Sequence, residues 1–179
     1  VGCVYASDYC NDERATDTLI NYLRSSVDKS VLSNLSIKKL TFEPGYRKEF
    51  WHQNCVAIGM SAGFIEPLEA SAIALIELSA KMIAKELPAN HSVMQIAANR
   101  FNKRFKYRWQ RIIEFLKLHY VLSERDSIYW KHHRDKNTIP NRLRELLTLW
   151  RYQEPTFNDF TEIEEVFPAA SYQYILYGM

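Results

Sequence analysis

Two carboxylates flank a proline in the run Glu66-Pro67-Leu68-Glu69. Pro67 suits the first turn of a helix, where its missing N–H would have no partner anyway. The helix dipole favours negative charge at that end, so acidic residues gather at helix starts for structural reasons alone. Glu69 differs in standing one turn inside, directly before Ala70-Ser71-Ala72-Ile73 and among apolar residues. A carboxylate held there is a candidate for perturbed proton affinity and for acid–base or charge-stabilising work. The unpaired N–H groups of the same helix start form an anion site. The residues therefore offer a carboxylate beside an anion-binding turn.

Other chemistry is weaker. Gly59-Met60-Ser61-Ala62-Gly63 sets a serine between two glycines, but the next helix starts too late for the strand–turn–helix geometry of a nucleophile elbow. His132 and His133 are adjacent, so they point in different directions, and no regular ligand spacing surrounds them. They read as surface histidines, and no metal site is expected. Arg100, Lys103, Arg104, Lys106, Arg108 and Arg111 alternate with Phe101, Phe105, Tyr107 and Trp109. Phe101, Phe105 and Trp109 are spaced by four and share a helix face, so the charges read as its solvated side and no nucleic-acid partner is expected. Cys3, Cys10 and Cys55 form no CxxC pair, which favours free thiols and a cytoplasmic location.

The elements that must position Glu69 follow from pattern. A chain of 179 residues with 47% apolar and 25% charged residues builds one compact domain by default, and disorder is excluded. The net charge of +2 argues against a strongly electrostatic partner, and no segment reaches the length of a membrane span. Val1–Ser7 and Ser36–Phe42 read as strands, and residues 46–58 as a further extended stretch. A helix is expected from Asn11 or Asp12 to about Arg24, on the spacing of Ala15, Leu19, Ile20 and Leu23. Leu68–Glu86 is so apolar that a buried helix is predicted. His91 to about Leu122 predicts a long helix with Ile96, Phe101, Phe105, Trp109, Ile112, Leu116 and Tyr120 inside. Asn141–Tyr152 predicts another, and Ser171–Gly178 a last helix or an extended tail. The expected class is α+β and mainly helical, with strands early and long helices late.

The segment from Asn54 to Ser71, NCVAIGMSAGFIEPLEAS, strongly resembles the flavin-dependent tryptophan halogenase family. GCVYASD near the start, Trp51, FLKLHYVLSERDSIYW from Phe115 to Trp130 and the closing YQYILYGM extend the resemblance along most of the chain. It implies an enzyme in which reduced FAD and O2 oxidise a halide, and an electron-rich aromatic carbon such as that of the tryptophan indole is halogenated. Glu69 matches the family's essential glutamate. Ser71 and Ala72 match the pair that binds halide, and Met60 and Ile73 match positions whose main chain touches the flavin. A flavin reductase would supply the reduced FAD, and a homodimer is compatible with the resemblance.

Two departures qualify what the resemblance implies. Ala72 carries a Cβ where the family usually has glycine, which matters if φ there must be positive. The GxGxxG fingerprint, the WxWxIP segment and the lysine that accompanies them are absent from these residues. The expected identity is thus the C-terminal part of a two-domain, FAD-dependent monooxygenase-like halogenase fold, without the N-terminal FAD-binding half and inactive by itself. Residues 1–67 would be the strand-rich end of the flavoprotein, substrate-side sheet, and 68–179 its C-terminal helical region. The alternatives are a non-catalytic helical binding module that keeps the fold, or a different flavin monooxygenase on the same scaffold.

Overall fold

The computed structural model describes residues 1–32, 34–160, 162 and 165–178. The chain forms two compact units, Val1–Phe42 and Glu43–Met179. In the first, helix α1 (Asp12–Leu23) begins where its cap requires: the Asn11 side-chain oxygen accepts the Arg14 N–H at 3.0 Å. A single short turn of helix, α2 (Lys29–Leu32), follows. Asp12 is clasped from two sides, accepting from the Tyr5 hydroxyl at 2.6 Å and pairing with Lys39 Nζ at 2.5 Å.

The strands expected at Val1–Ser7 and Ser36–Phe42 do not form. Alternation of side chains supplies a face, but a strand also needs a neighbouring backbone to bond, and neither segment has one among the described residues. Ile37, Leu40 and Phe42 consequently stand exposed.

In the second unit, β1 (Gly45–Tyr46) pairs antiparallel with β4 (Gly63–Phe64), and β2 (Trp51–His52) with β3 (Cys55–Val56). The extended stretch expected over 46–58 is therefore broken by a hairpin of its own. Gln53 turns that hairpin at φ 52°, and the Trp51 indole N–H bonds its carbonyl at 2.9 Å. Gly63 must lack a side chain, because a Cβ there would lie 2.7 Å from Gly45 O and from Tyr46 Cα.

Among the described residues, five α-helices complete the unit: α3 (Ala72–Glu86), α4 (His91–Leu122), α5 (Ile128–Arg134), α6 (Asn141–Leu149) and α7 (Ala169–Gly178). The 32 residues of α4 organise everything around them. Its earlier part buries Phe101, Phe105, Trp109, Ile112 and Leu116 against Phe50, Trp51, Leu75 and Met82. Its last part turns Phe115 and Leu118 toward Ile139, Leu143, Tyr172 and Ile175. Each such large apolar side chain contributes about 1.5–3 kcal/mol on leaving water. Asn102 of α4 ties the hairpin down: its Oδ1 accepts the Phe50 and Trp51 N–H groups at 2.8 Å each, and its Nδ2 donates to Trp51 O at 2.9 Å.

Three expectations change. Helix α3 begins at Ala72, not at Leu68, so Glu69 lies in the turn before the helix and not one turn inside it. Ile96 is exposed and lies outside the inner stripe of α4. Helix α3 buries only Leu75, Ser79 and Met82, while Ile73 and Ile76 face outward. Its apolar composition therefore makes two apolar faces, of which this chain covers one. The result is a helix-dominated α+β fold with little strand.

Candidate active site

The turn that carries Glu69 is built against expectation for ordinary residues. Pro67 (φ −77°, ψ 5°) leads into Glu69 at φ 64°, ψ 4°, and Ala70 follows at φ 47°. Two successive non-glycine residues in the left-handed region cost about 1–2 kcal/mol each relative to the right-handed form. The Ala70 N–H closes the turn on Pro67 O at 3.1 Å. Ser71 and Ala72 then enter α3, where the first intrahelical bond runs from Leu75 N to Ser71 O at 3.0 Å. No side chain caps that helix start. Its first N–H groups are thus available to an anion, with the helix dipole behind them.

The left-handed positions fall on Glu69 and Ala70, and Ala72 is not among the positive-φ residues. A Cβ at Ala72 therefore causes no backbone strain, and the departure from glycine does not distort the turn.

Glu69 is held by α4. Its Oε1 lies 2.8 Å from His119 Nε2, with the carboxylate side chain 33% exposed and the imidazole 12%. His119 Nδ1 lies 2.9 Å from Phe115 O, and the His119 ring sits edge-on to Phe115 at 5.1 Å. A carbonyl only accepts, so Nδ1 carries a hydrogen. The Nε2 contact at 2.8 Å orients the Glu69 carboxylate against α4.

Glu66, three residues earlier, is half-buried and accepts the Tyr120 hydroxyl at 2.9 Å. Burial, assisted by hydrogen bonds to Tyr129 and Glu66, pushes Tyr120 far above the ordinary tyrosine value, so it stays a phenol and a donor. His133 stacks on Tyr120 and is half-buried, so of the two expected surface histidines only His132 is exposed. Burial, then the neighbouring Lys117 charge, pushes His133 below the ordinary value. Its neutral ring accepts from Lys117 Nζ at 3.0 Å. Lys117 is buried and is itself pushed down by that burial.

The remaining expected residues fall around the same turn. Met60 and Ile73 are largely exposed, and Gly59, at φ 58°, packs against the Ile76 side chain. Ser61 is not a nucleophile: its hydroxyl donates to Ile58 O at 2.8 Å and accepts the Ile58 N–H at 3.1 Å. Among the described residues no cluster of three or more His, Cys, Asp or Glu groups could hold a metal, and no helix is long and apolar enough to cross a membrane. The three cysteines are free.

The basic face of α4 is not uniformly solvated. Arg111 is buried and pairs with Glu114 at 2.8 Å, and Arg104 pairs with Glu86 at 2.7 Å. Sequence reasoning missed His119 and Tyr120 as partners of the carboxylates. The available signal was a polar pair, His-Tyr, at the end of an otherwise apolar stripe, where a hydrogen-bonding group needs a partner.

The sequence profile described as tryptophan halogenase matches residues 1–179. The chain is 32% identical over 178 residues to the tryptophan 6-halogenase of Streptomyces toxytricini, covering 99% of this chain and 33% of that protein. A crystal structure of a tryptophan halogenase from Shewanella frigidimarina superposes with a TM-score of 0.91 at 51% identity, over 98% of this chain and 33% of that one. A flavin-dependent halogenase from Brevundimonas superposes with a TM-score of 0.77 at 30% identity, over 98% and 34%. The chain thus spans about a third of the length of the relatives it matches.

Proposed function

The chain belongs to the tryptophan halogenase family, and from that premise we propose that it is the C-terminal part of a flavin-dependent halogenase in which Glu69 is the catalytic carboxylate. In the whole enzyme, residues 1–67 would belong to the end of the substrate-side sheet and 68–179 to the helical region. An N-terminal half would bring the FAD-binding site, and its docking would cover the outward apolar face of α3, since bare faces of that kind mark interaction surfaces. Reduced FAD with O2, when bound, would supply the oxidant for the halide, the flavin being reduced by a separate cytoplasmic reductase.

The chain's own residues divide the remaining work. The main chain at Met60 and Ile73 would contact the flavin, and Ser71 and Ala72 would hold the halide at the start of α3, which no side chain caps. Glu69 stabilises positive charge on an electron-rich aromatic carbon, such as that of an indole, and takes the proton that carbon loses. His119, in contact with Glu69 at 2.8 Å, holds the carboxylate for that step.

The observation that carries the reading is the Glu69 carboxylate, held by His119 on a left-handed turn beside an uncapped helix start. Its test is Glu69→Gln in the full-length enzyme. Halogenated product should fall by about 10²-fold or more, the scale of a lost general acid or base, while flavin oxidation continues. Equal losses in both would reduce Glu69 to a structural role.

A further inference from the structure

Glu66 is the carboxylate of the pair to which the proposed chemistry gives no task, yet it is half-buried and bonded to Tyr120. Tyr120 directly follows His119, so adjacent side chains of α4 grip the two carboxylates on either side of Pro67. The Tyr120 ring is locked in turn. His133 stacks on it at 4.6 Å, Trp130 lies at 5.4 Å, and Tyr129 meets it edge-on at 5.9 Å. His133 is fixed by Lys117, which also donates to Thr138 Oγ1 at 2.9 Å.

The second gripped residue, Glu69, and Ala70 directly after it both stand in the left-handed region. Residues other than glycine persist there only where the surroundings over-determine them. The Ala70-to-Pro67 bond closes the turn on itself but does not fix it against α4. The His119 contact alone would be a single point about which the turn could pivot. The Glu66–Tyr120 bond supplies the second point.

We infer that Glu66 and Tyr120 are positioning residues for Glu69, anchoring the left-handed turn against α4 and thereby setting where the Glu69 carboxylate points. The inference rests on the catalytic role proposed for Glu69.

The experiment compares Tyr120→Phe, Glu66→Ala, Glu66→Gln and the Tyr120→Phe/Glu66→Ala pair in the full-length enzyme, measuring halogenated product per O2 consumed. Tyr120→Phe keeps the ring among its aromatic neighbours and removes only the hydroxyl, with its bonds to Glu66 and Tyr129; Glu66→Ala, which leaves the Tyr129 bond intact, separates the two. Product per O2 should fall about tenfold in Tyr120→Phe and in Glu66→Ala, because small misplacement of a reacting group carries losses of that order or more. The double variant should be no worse than either single one. Glu66→Gln keeps an oxygen that accepts from Tyr120 and should retain most of the product yield.

Product per O2 equal to that of the unmodified enzyme would overturn the inference. So would equal losses of product formation and O2 consumption, the mark of a merely structural role. Should Tyr120→Phe fail to fold, Glu66→Ala and Glu66→Gln decide the matter, and identical yields from those two would overturn it. An unmodified enzyme that gives no halide-dependent product would instead sink the reading of Glu69.

Discussion

Helix α4 holds two pairs of carboxylates, and it holds them by different means. Glu114 accepts from Arg111 at 2.8 Å and from Arg142 at 3.0 Å, and Arg142 also reaches Glu165 at 3.2 Å. Tyr107 donates to Glu165, and burial together with that bond pushes Tyr107 up to about 12. Five residues further along α4, about 8 Å of helix rise, His119 and Tyr120 hold Glu69 and Glu66 with no arginine involved. The first group is closed: its carboxylate side chains are 8% and 10% exposed, and each faces an arginine that carries permanent charge. The second is open, with Glu69 a third exposed and its partner a titratable ring. Carboxylates locked by guanidinium groups tie helices together. Those held by histidine and tyrosine stand beside an uncapped helix start, where the Glu69 side chain is still a third exposed.

The sharpest way to break this contrast is to remove the shared cation. Burial works against the Arg142 charge, but Glu165 and Glu114 outweigh it and hold the guanidinium above its ordinary value. Arg142→Met would leave those two carboxylates facing each other with Arg111 alone, and would also lose the bond from Arg142 to Asp159 O. Breaking a buried pair from one side costs about 3–5 kcal/mol, and Arg142 is partly exposed, so about 3 kcal/mol is expected. Urea unfolding measures it. Product per O2 in the folded fraction should not change. A variant with normal stability would show that the network ties nothing together.

The converse variant is His119→Phe in the full-length enzyme. Glu69 can turn to water when its partner goes, so stability should change by about 1 kcal/mol or less. Product per O2 should nevertheless fall by about tenfold or more, since the carboxylate loses the group that orients it. A loss of stability as large as that of Arg142→Met, with product yield preserved, would put both regions in one class and end the distinction.

How much of this was legible in the sequence differs by region. The four-residue spacing of Phe101, Phe105 and Trp109 marked the buried face of α4, and the start of α1 was narrowed to Asn11 or Asp12, of which Asn11 is the cap, because local periodicity and capping govern both. Glu69 stood out because an acidic residue one turn inside an apolar segment is unusual. The strands expected in the first 42 residues failed because a ladder depends on a partner that no local pattern specifies. His119 lies 50 residues from Glu69, and Arg142 lies 28 from Glu114. Such pairings depend on where helices cross. The left-handed backbone at Glu69 and Ala70 was equally hidden, since neither residue type announces it.

The smallest effect tests whether the arginines fully offset burial at Glu114. Burial, the largest influence, pushes its carboxyl up, and Arg111 and Arg142 pull it back only in part. A carboxyl raised in the folded state contributes stability that is fully present below the ordinary glutamate value of 4.5 and is lost as pH rises through the folded value. Over that window the native state binds more protons than the unfolded chain, so the slope of stability with pH is negative. Glu114→Gln cannot titrate. The stability of the unmodified protein relative to Glu114→Gln should therefore decline as pH rises from 4.5 toward neutrality, measured by urea unfolding at matched ionic strength. Arg142→Met should steepen the decline, because it removes one of the two cations that oppose burial. A rising difference would mean that the two arginines more than offset burial at Glu114. The closed network would then stabilise the fold through its charge, and the geometric lock alone would not account for its presence.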